Sequence, residues 1–283
     1  MKRWADVKLV IPYVRKLRDL DTRMVHLAEF LGIQCETLAL VDTTEPAEFL
    51  RNAVPEECSC FVLHPQVMKE WVGDNGLTTA LACFLQSRFS RLLVHGLHVD
   101  AYDSKLVSVL SQGGLQSVQP VDDRTAVYEI AHGTKDICEA FSGLSFGPTN
   151  FANDHVFNID VNDNKVRRLI SIGDWPFMAT VTTHGSEALF IAGEDLVDVD
   201  LEIGEAQLGE HFSRLVPYAM ALRYIAGDEC WRPSKGYASV VVDDPLLRDN
   251  YGFLNFDSLL QHTKQSNFHT SIAFIPQDRK SVV

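Results

Sequence analysis

The sequence predicts an α/β protein: a mostly parallel sheet covered by helices, a β-rich extension, and a further β-α-β unit. Three observations carry this prediction. From Val7 to Ile130 short apolar runs alternate with helical patterns, the signature of parallel strands joined by helical crossovers. Around Phe141–Asn153 the chain turns rich in Ser, Gly, Pro and Asn, and closely spaced short strands follow. Near its end an apolar run, a helical pattern and another apolar run recur. Hydrophobic residues make up 46% of the 283, enough for a sizeable core and too many for a disordered chain.

The elements follow in order. Val7–Pro12 reads as a buried strand. Asp19–Leu31 reads as a helix whose apolar face holds Met24, Val25, Leu27, Ala28 and Leu31. Thr37–Val41 is a second strand, Glu45–Asn52 a short helix and Cys60–Leu63 a third strand. Leu77–Ser87 is a helix, and Arg91–His95 a fourth strand that closes in His-Gly. Ser104–Ser111 is a helix stopped by Gly113-Gly114, and Ala126–Ile130 is another strand. Val156–Ile159, Arg168–Ile172, Met178–Thr183 and Ala188–Ala192 are short strands. Asn162-Asp163-Asn164 and His184-Gly185 supply turn residues between them, so antiparallel hairpins are expected. Gly209–Gly227 carries a helical stripe of Phe212, Leu215, Val216, Ala219, Leu222 and Ile225. Gly227 is its stop, and Pro217 kinks it or delays its start. Ala238–Val242 is a strand, Phe256–Ser266 a helix and Thr270–Ile275 a strand. The expected division is an α/β domain over 1–145, a β-rich segment over 150–205, a connecting helix over 206–232 and the start of a further domain over 233–277.

Composition excludes some functions. A net charge of −13 argues against nucleic-acid binding, which needs a basic face for phosphates. No stretch approaches the ~20 apolar residues of a membrane span, and Pro12, Arg15 and Lys16 break the only signal-like start. A cytoplasmic protein is expected. Six cysteines occur without a C-x-x-C pair, which predicts buried free thiols in a reducing compartment.

The chemistry centres on Asp243-Asp244, which end the run Ala238-Ser-Val-Val-Val-Asp-Asp-Pro-Leu-Leu247. Adjacent carboxylates at a strand end can split roles, one binding a metal and the other taking a proton from water. Asp-Asp-Pro is equally an ordinary strand-end turn. Four pieces add a resemblance: Ala221-Leu-Arg-Tyr-Ile-Ala-Gly-Asp-Glu-Cys-Trp231, Val242-Asp-Asp-Pro-Leu-Leu-Arg248, Tyr251-Gly-Phe-Leu-Asn-Phe256 and Ser271-Ile-Ala-Phe-Ile-Pro276. Residues 212–276 resemble an uncharacterised family related to polysaccharide deacetylases of the NodB type. In that superfamily the first strand of a distorted (β/α) barrel ends in Asp-Asp. The resemblance implies Asp243 as general base, Asp244 as ligand of a divalent metal, usually zinc, and a carbohydrate substrate. It also implies an H-x-x-x-H pair, which this sequence lacks; His262 and His269 are seven apart.

Other motifs carry less. His95-Gly-Leu-His98 follows a predicted parallel strand, where ligands often collect, but loop histidines are more often structural. The first domain is similar to flavodoxin-like or class I amidotransferase-like domains. Cys35 and Cys83 lack the Gly-flanked strand–helix turn of a nucleophile elbow, so no amidotransferase activity is expected. Asp160–Asn164 imitates a calcium loop, but Lys165 and Ser171 stand where Gly and Glu are needed; a polar hairpin turn is expected. Glu194–Glu202 reads as an exposed acidic strand face. Trp175, Trp231 and Tyr251 could stack on sugar rings, with core packing the ordinary role.

The last six residues, Asp278-Arg-Lys-Ser-Val-Val283, leave the resemblance and match one reading frame of a common sequencing adapter. The expectation is therefore a fragment of a cytoplasmic carbohydrate deacetylase, inactive as it stands because its metal ligands are incomplete. The alternative is a non-catalytic glycan- or partner-binding module.

Overall fold

The computed structural model describes residues 8–54, 58–73, 77–121, 127–147, 154–160, 165–183, 186–200, 211–231, 239–242, 255–266 and 269–272. The chain divides into two compact units, Met1–Trp231 and Arg232–Val283.

The first unit opens with β1 (Lys8–Tyr13), α1 (Asp19–Phe30), β2 (Gln34–Ala39), α2 (Pro46–Ala53), β3 (Cys58–Leu63), α3 (Pro65–Val72), α4 (Thr79–Arg88), β4 (Arg91–Val94) and α5 (Ala101–Leu110). It continues through β5 (Leu115–Pro120), β6 (Tyr128–Ile130), α6 (Lys135–Cys138), β7 (Ser145–Phe146), β8 (His155–Ile159), β9 (Val166–Ile172), β10 (Trp175–Thr183), β11 (Ser186–Ile191) and α7 (Phe212–Ala226). Among the described residues nine strands form one sheet in the order β2-β1-β3-β4-β11-β10-β9-β6-β7. The α/β class predicted from the alternation is the observed one.

The first five strands of that order are parallel. β2-β1-β3-β4 followed by a fifth parallel strand is the order of flavodoxin-like doubly wound sheets. Here the fifth place is taken by β11, from much later in the chain. The inner strands are apolar on both faces, as a sheet covered on both sides requires. Leu9, Val10 and Ile11 of β1, Phe61, Val62 and Leu63 of β3, and Leu92, Leu93 and Val94 of β4 are all buried. β2 lies at the edge, and its side chains are exposed or half-buried.

β11 turns the sheet antiparallel. It pairs with β10 from Met178↔Ile191 to Thr183↔Ser186, β10 pairs with β9, and β9 with β6. The expected hairpins hold for β9-β10-β11, with His184 and Gly185 themselves outside the described residues. β8 departs from that expectation. It pairs antiparallel with β5 in a separate two-stranded sheet, so 160–165 joins strands of two different sheets. Asn162–Asn164 lie outside the described residues. One core cluster runs from Leu9 through Phe190 to Cys230.

Local chemistry fixes the helix starts. The Thr78 hydroxyl accepts from the Leu81 amide, and the Asp100 carboxylate from the Asp103 amide. α7 runs unbroken through the buried Pro217 and stops at Gly227, whose φ is +56°. Arg91 ties α7 to β4. Its guanidinium lies 4.4 Å from the Tyr224 ring centroid and donates to the Ile225 carbonyl at 3.1 Å, while the Tyr224 hydroxyl donates to Glu187 at 2.7 Å. Deeper, the Tyr128 hydroxyl donates to Asp154, and burial pushes the Asp154 carboxyl up to about 6. Cys60, Cys138 and Cys230 are buried and outside any disulfide, whereas Cys35 is half-buried and Cys83 is exposed on α4.

Some elements differ from the sequence reading. β2 begins three residues earlier than expected, and α3 and β5 carried no expectation. Glu194–Asp200 is irregular, with Leu196 buried, where an exposed strand was expected.

The second unit contains β12 (Ser239–Val242), α8 (Phe256–Ser266) and β13 (His269–Ile272). β12 and β13 pair parallel, Ser239↔His269 to Val242↔Ile272, with α8 as the crossover. This is the β-α-β unit expected from the sequence.

Candidate functional site

Because β1, β3, β4 and β11 are parallel, the segments that follow them emerge along one edge of the sheet. Those segments begin at Val14, His64, His95 and Ala192. Carboxyl ends of parallel strands are where open α/β sheets collect ligands.

Histidines dominate this edge. His95 is fully buried, with its ring edge-on to His64 at 5.5 Å and to Tyr218 at 6.0 Å between centroids. Neither of its ring nitrogens has a hydrogen-bond partner among the described residues, and burial holds its pKa down to about 4. Nδ1 of His64 accepts from the Gln66 amide at 3.2 Å and caps α3. Burial first, and then the neighbouring His95, Arg18 and His98, hold His64 well below the ordinary range. Gly96, at φ +66°, lets the chain turn beside that ring.

His98 is half exposed. Its amide donates to Asp103 Oδ2 at 2.7 Å, its Nδ1 lies 3.6 Å from the same oxygen, and its Nε2 lies 3.3 Å from Glu194 Oε1. The Asp103 side chain is wholly buried, which raises its carboxyl to about 6. His155 closes this corner, with Nδ1 3.2 Å from the Leu97 carbonyl. A reachable imidazole between two carboxylates is a geometry suited to proton transfer.

Beside the histidines, a cleft of about 350 Å³ lies at the carboxyl end of β1. Val14 and Arg15 come from the loop after β1, Leu40 and Asp42 from the segment after β2, and Glu70 from α3. Glu70 is ion-paired to Arg18. Trp71 donates its indole N–H to the Val41 carbonyl at 2.9 Å and so holds the Asp42 segment against α3. Arg15 is a non-glycine residue at φ +66°, a strained backbone of the kind found at ligand sites.

One further group of three side chains among the described residues could hold a metal. Nδ1 of His26 on α1 lies 3.0 Å from Asp198 Oδ1 and 3.3 Å from Asp200 Oδ2. These contacts equally describe a half-buried ion-paired histidine.

Asp243 and Asp244 lie outside the described residues. They follow directly on Val242, the last residue of β12. His262 is exposed on α8 and His269 opens β13. Trp175 and Trp231 are exposed, while Tyr251 lies outside the described residues. Of this edge, His95 and His98 were weighed from sequence as possible ligands, and Glu194 was read as part of an exposed acidic strand face. His64, which follows β3, and Glu194, which follows β11, reach this edge only through the strand order, whereas Asp103 lies in α5 five residues after His98 and is held to it locally.

No family model matches the chain, and no curated protein matches it. Solved structures similar to it include the carbohydrate deacetylase Agd3, at 11% identity over 84% of this chain and 35% of that one, with a TM-score of 0.48. Two cytoplasmic proteins of Salmonella typhimurium are also similar. STM1381, from strain LT2, is 12% identical over 77% of this chain and 99% of its own, with a TM-score of 0.47. STM3548 is 10% identical over 80% of this chain and all of its own, with a TM-score of 0.46. No helix among the described residues is long and apolar enough to cross a membrane.

Proposed function

We propose that this chain is part of a metal-dependent carbohydrate deacetylase that hydrolyses acetyl groups from an amino sugar or glycan. The observation that carries the proposal is the parallel β12-α8-β13 unit, whose first strand ends at the residue before Asp243-Asp244. The four sequence pieces that resemble NodB-type deacetylases surround the same strand. Asp244 is the proposed ligand of a divalent metal, zinc by that resemblance. Asp243 is the proposed base, taking a proton from the water that attacks the acetyl carbonyl. A catalytic zinc takes three protein ligands, and Asp244 supplies one. Asp244 alone does not complete such a site, and the remaining ligands are not among the residues the resemblance covers.

The test is acetate release from N-acetylglucosamine oligomers by the full-length protein. Release is expected to stop with a chelator, to return with zinc, and to be lost in Asp244→Ala and Asp243→Asn. Undiminished release by Asp244→Ala overturns the assignment. The second reading, a non-catalytic glycan-binding module, is favoured by the cleft within the first unit. Sugar binding with no acetate released under any metal condition would select it.

A further inference from the structure

The cleft at β1 stands where the strand order reverses. The chain leaves β1 for β2 on one side and then crosses back to β3 on the other. Such a switch point opens a crevice between connections that run to opposite faces of the sheet. Its volume, about 350 Å³, falls in the ~300–1,000 Å³ range of small-molecule sites.

The lining narrows the ligand. Phosphate is disfavoured because the loop from Val14 to Arg18 has no glycine to bring backbone amides close, and α1 opens with Asp19 and Asp21. The Asp21 carboxylate already takes the Arg18 amide at 3.4 Å. A simple cation would face the Arg15 guanidinium. Among the lining residues Arg15 and Asp42 carry opposite charges, and Glu70 is neutralised by its ion pair with Arg18, so the formal charges balance and the cleft suits a neutral ligand with many hydrogen-bonding groups. Carboxylates accept from hydroxyls, the guanidinium donates to ring and amide oxygens, and Val14 and Leu40 offer apolar contact for a C–H face.

We propose that this switch-point cleft binds a neutral saccharide, an N-acetylated hexosamine or its short oligomers, through Arg15, Asp42 and Glu70. The location and the neutrality come from the cleft itself. The choice of a sugar as the hydroxyl-rich ligand rests on the carbohydrate assignment proposed above.

Trp71 makes the cleft testable, since its indole is bonded to the segment that carries Asp42. The full chain would be titrated with oligomers of N-acetylglucosamine and of N-acetylgalactosamine, read by tryptophan fluorescence and calorimetry. Saturable binding by at least one series is expected. Arg15→Gly and Asp42→Asn should each weaken it by about 10-fold or more, the effect of losing one charged hydrogen bond. Arg15→Gly should also raise Tm, because glycine adopts a positive φ without strain, which separates lost binding from lost folding. No saturation with either series overturns the proposal, as does wild-type affinity in both variants. Saturation by AMP or inorganic phosphate in place of sugar also overturns it. Arg15-dependent binding with no acetate released by the full-length protein under any metal condition leaves the cleft assigned and removes the deacetylase. Acetate release without Arg15-dependent binding does the reverse.

Discussion

A β-carbon added to Gly96 would stand 2.6 Å from Nε2 of His64 and 2.8 Å from the Leu20 side chain. The segment after β4 therefore passes the cap of α3 with no room for a side chain, and φ at Gly96 is +66°. Gly96→Ala must both force a left-handed alanine and displace a buried imidazole. The expected loss is about 2–4 kcal/mol, measured by urea unfolding. A loss under about 0.5 kcal/mol, the range of an ordinary surface substitution, would show that the His64 ring yields freely.

Two buried groups give opposite pH dependences. The pKa of His95 falls from its ordinary 6.5 to about 4 in the fold, so the unfolded chain protonates first. Stability is then lost as pH falls from 6.5 towards 4, by about 3 kcal/mol from this residue. Asp154 behaves in reverse. Its carboxyl is raised from 3.8 to about 6, so the folded state binds the proton first, and stability falls by about 3 kcal/mol as pH rises from 3.8 to 6. His95→Phe should gain on wild type as pH falls below 6.5, and Asp154→Asn should gain as pH rises towards 6. Variant and wild-type stability curves that stay parallel across this range would refute the assignments.

Arg91 makes three contacts that need a planar fork: the Tyr224 ring, the Ile225 carbonyl and, at 3.7 Å, Glu187. Arg91→Lys keeps the charge and loses most of that geometry. A cost of about 1–2 kcal/mol is expected. Calorimetric unfolding indistinguishable from wild type would show that α7 is held by its apolar face alone.

The His26–Asp198 pair can be read directly by NMR. The hydrogen bond to Asp198, with Asp200 and Glu29 adding charge, raises the His26 pKa above 6.5. Asp198→Asn should return it towards the ordinary value. Zinc at stoichiometric concentration would shift the same resonances if the three side chains chelate it, and leave them unmoved if they form only an ion pair.

Much of the fold was legible because local chemistry and tertiary burial agree. The all-apolar runs of β1, β3 and β4 are what a doubly covered sheet needs, and α8 spans Phe256–Ser266 as its pattern implies. β2 was misplaced because an edge strand needs no apolar run; its exposed Gln34 and Glu36 carry no strand signal. The segment Glu194–Asp200 was misread because alternating charges there arise from ion pairs, with Asp195 held by Arg23 and Arg214. β8 was assigned a hairpin partner from its neighbours in sequence, and it pairs with β5 instead. The cleft was not legible at all. Arg15, Asp42 and Glu70 meet only because the strand order reverses, and no local pattern encodes that reversal.

The pairing of Val94 with Phe190 has a consequence during synthesis. Leu92, Leu93 and Val94 make β4 apolar beyond Arg91, and the partner of Val94 is made 96 residues later. At ribosomal speeds of roughly 5–20 residues per second, its open edge waits on the order of 5–20 seconds before β11 exists. A growing chain of this protein therefore carries an adhesive border for that interval, and slowing elongation between codons 95 and 190 should increase co-translational aggregation.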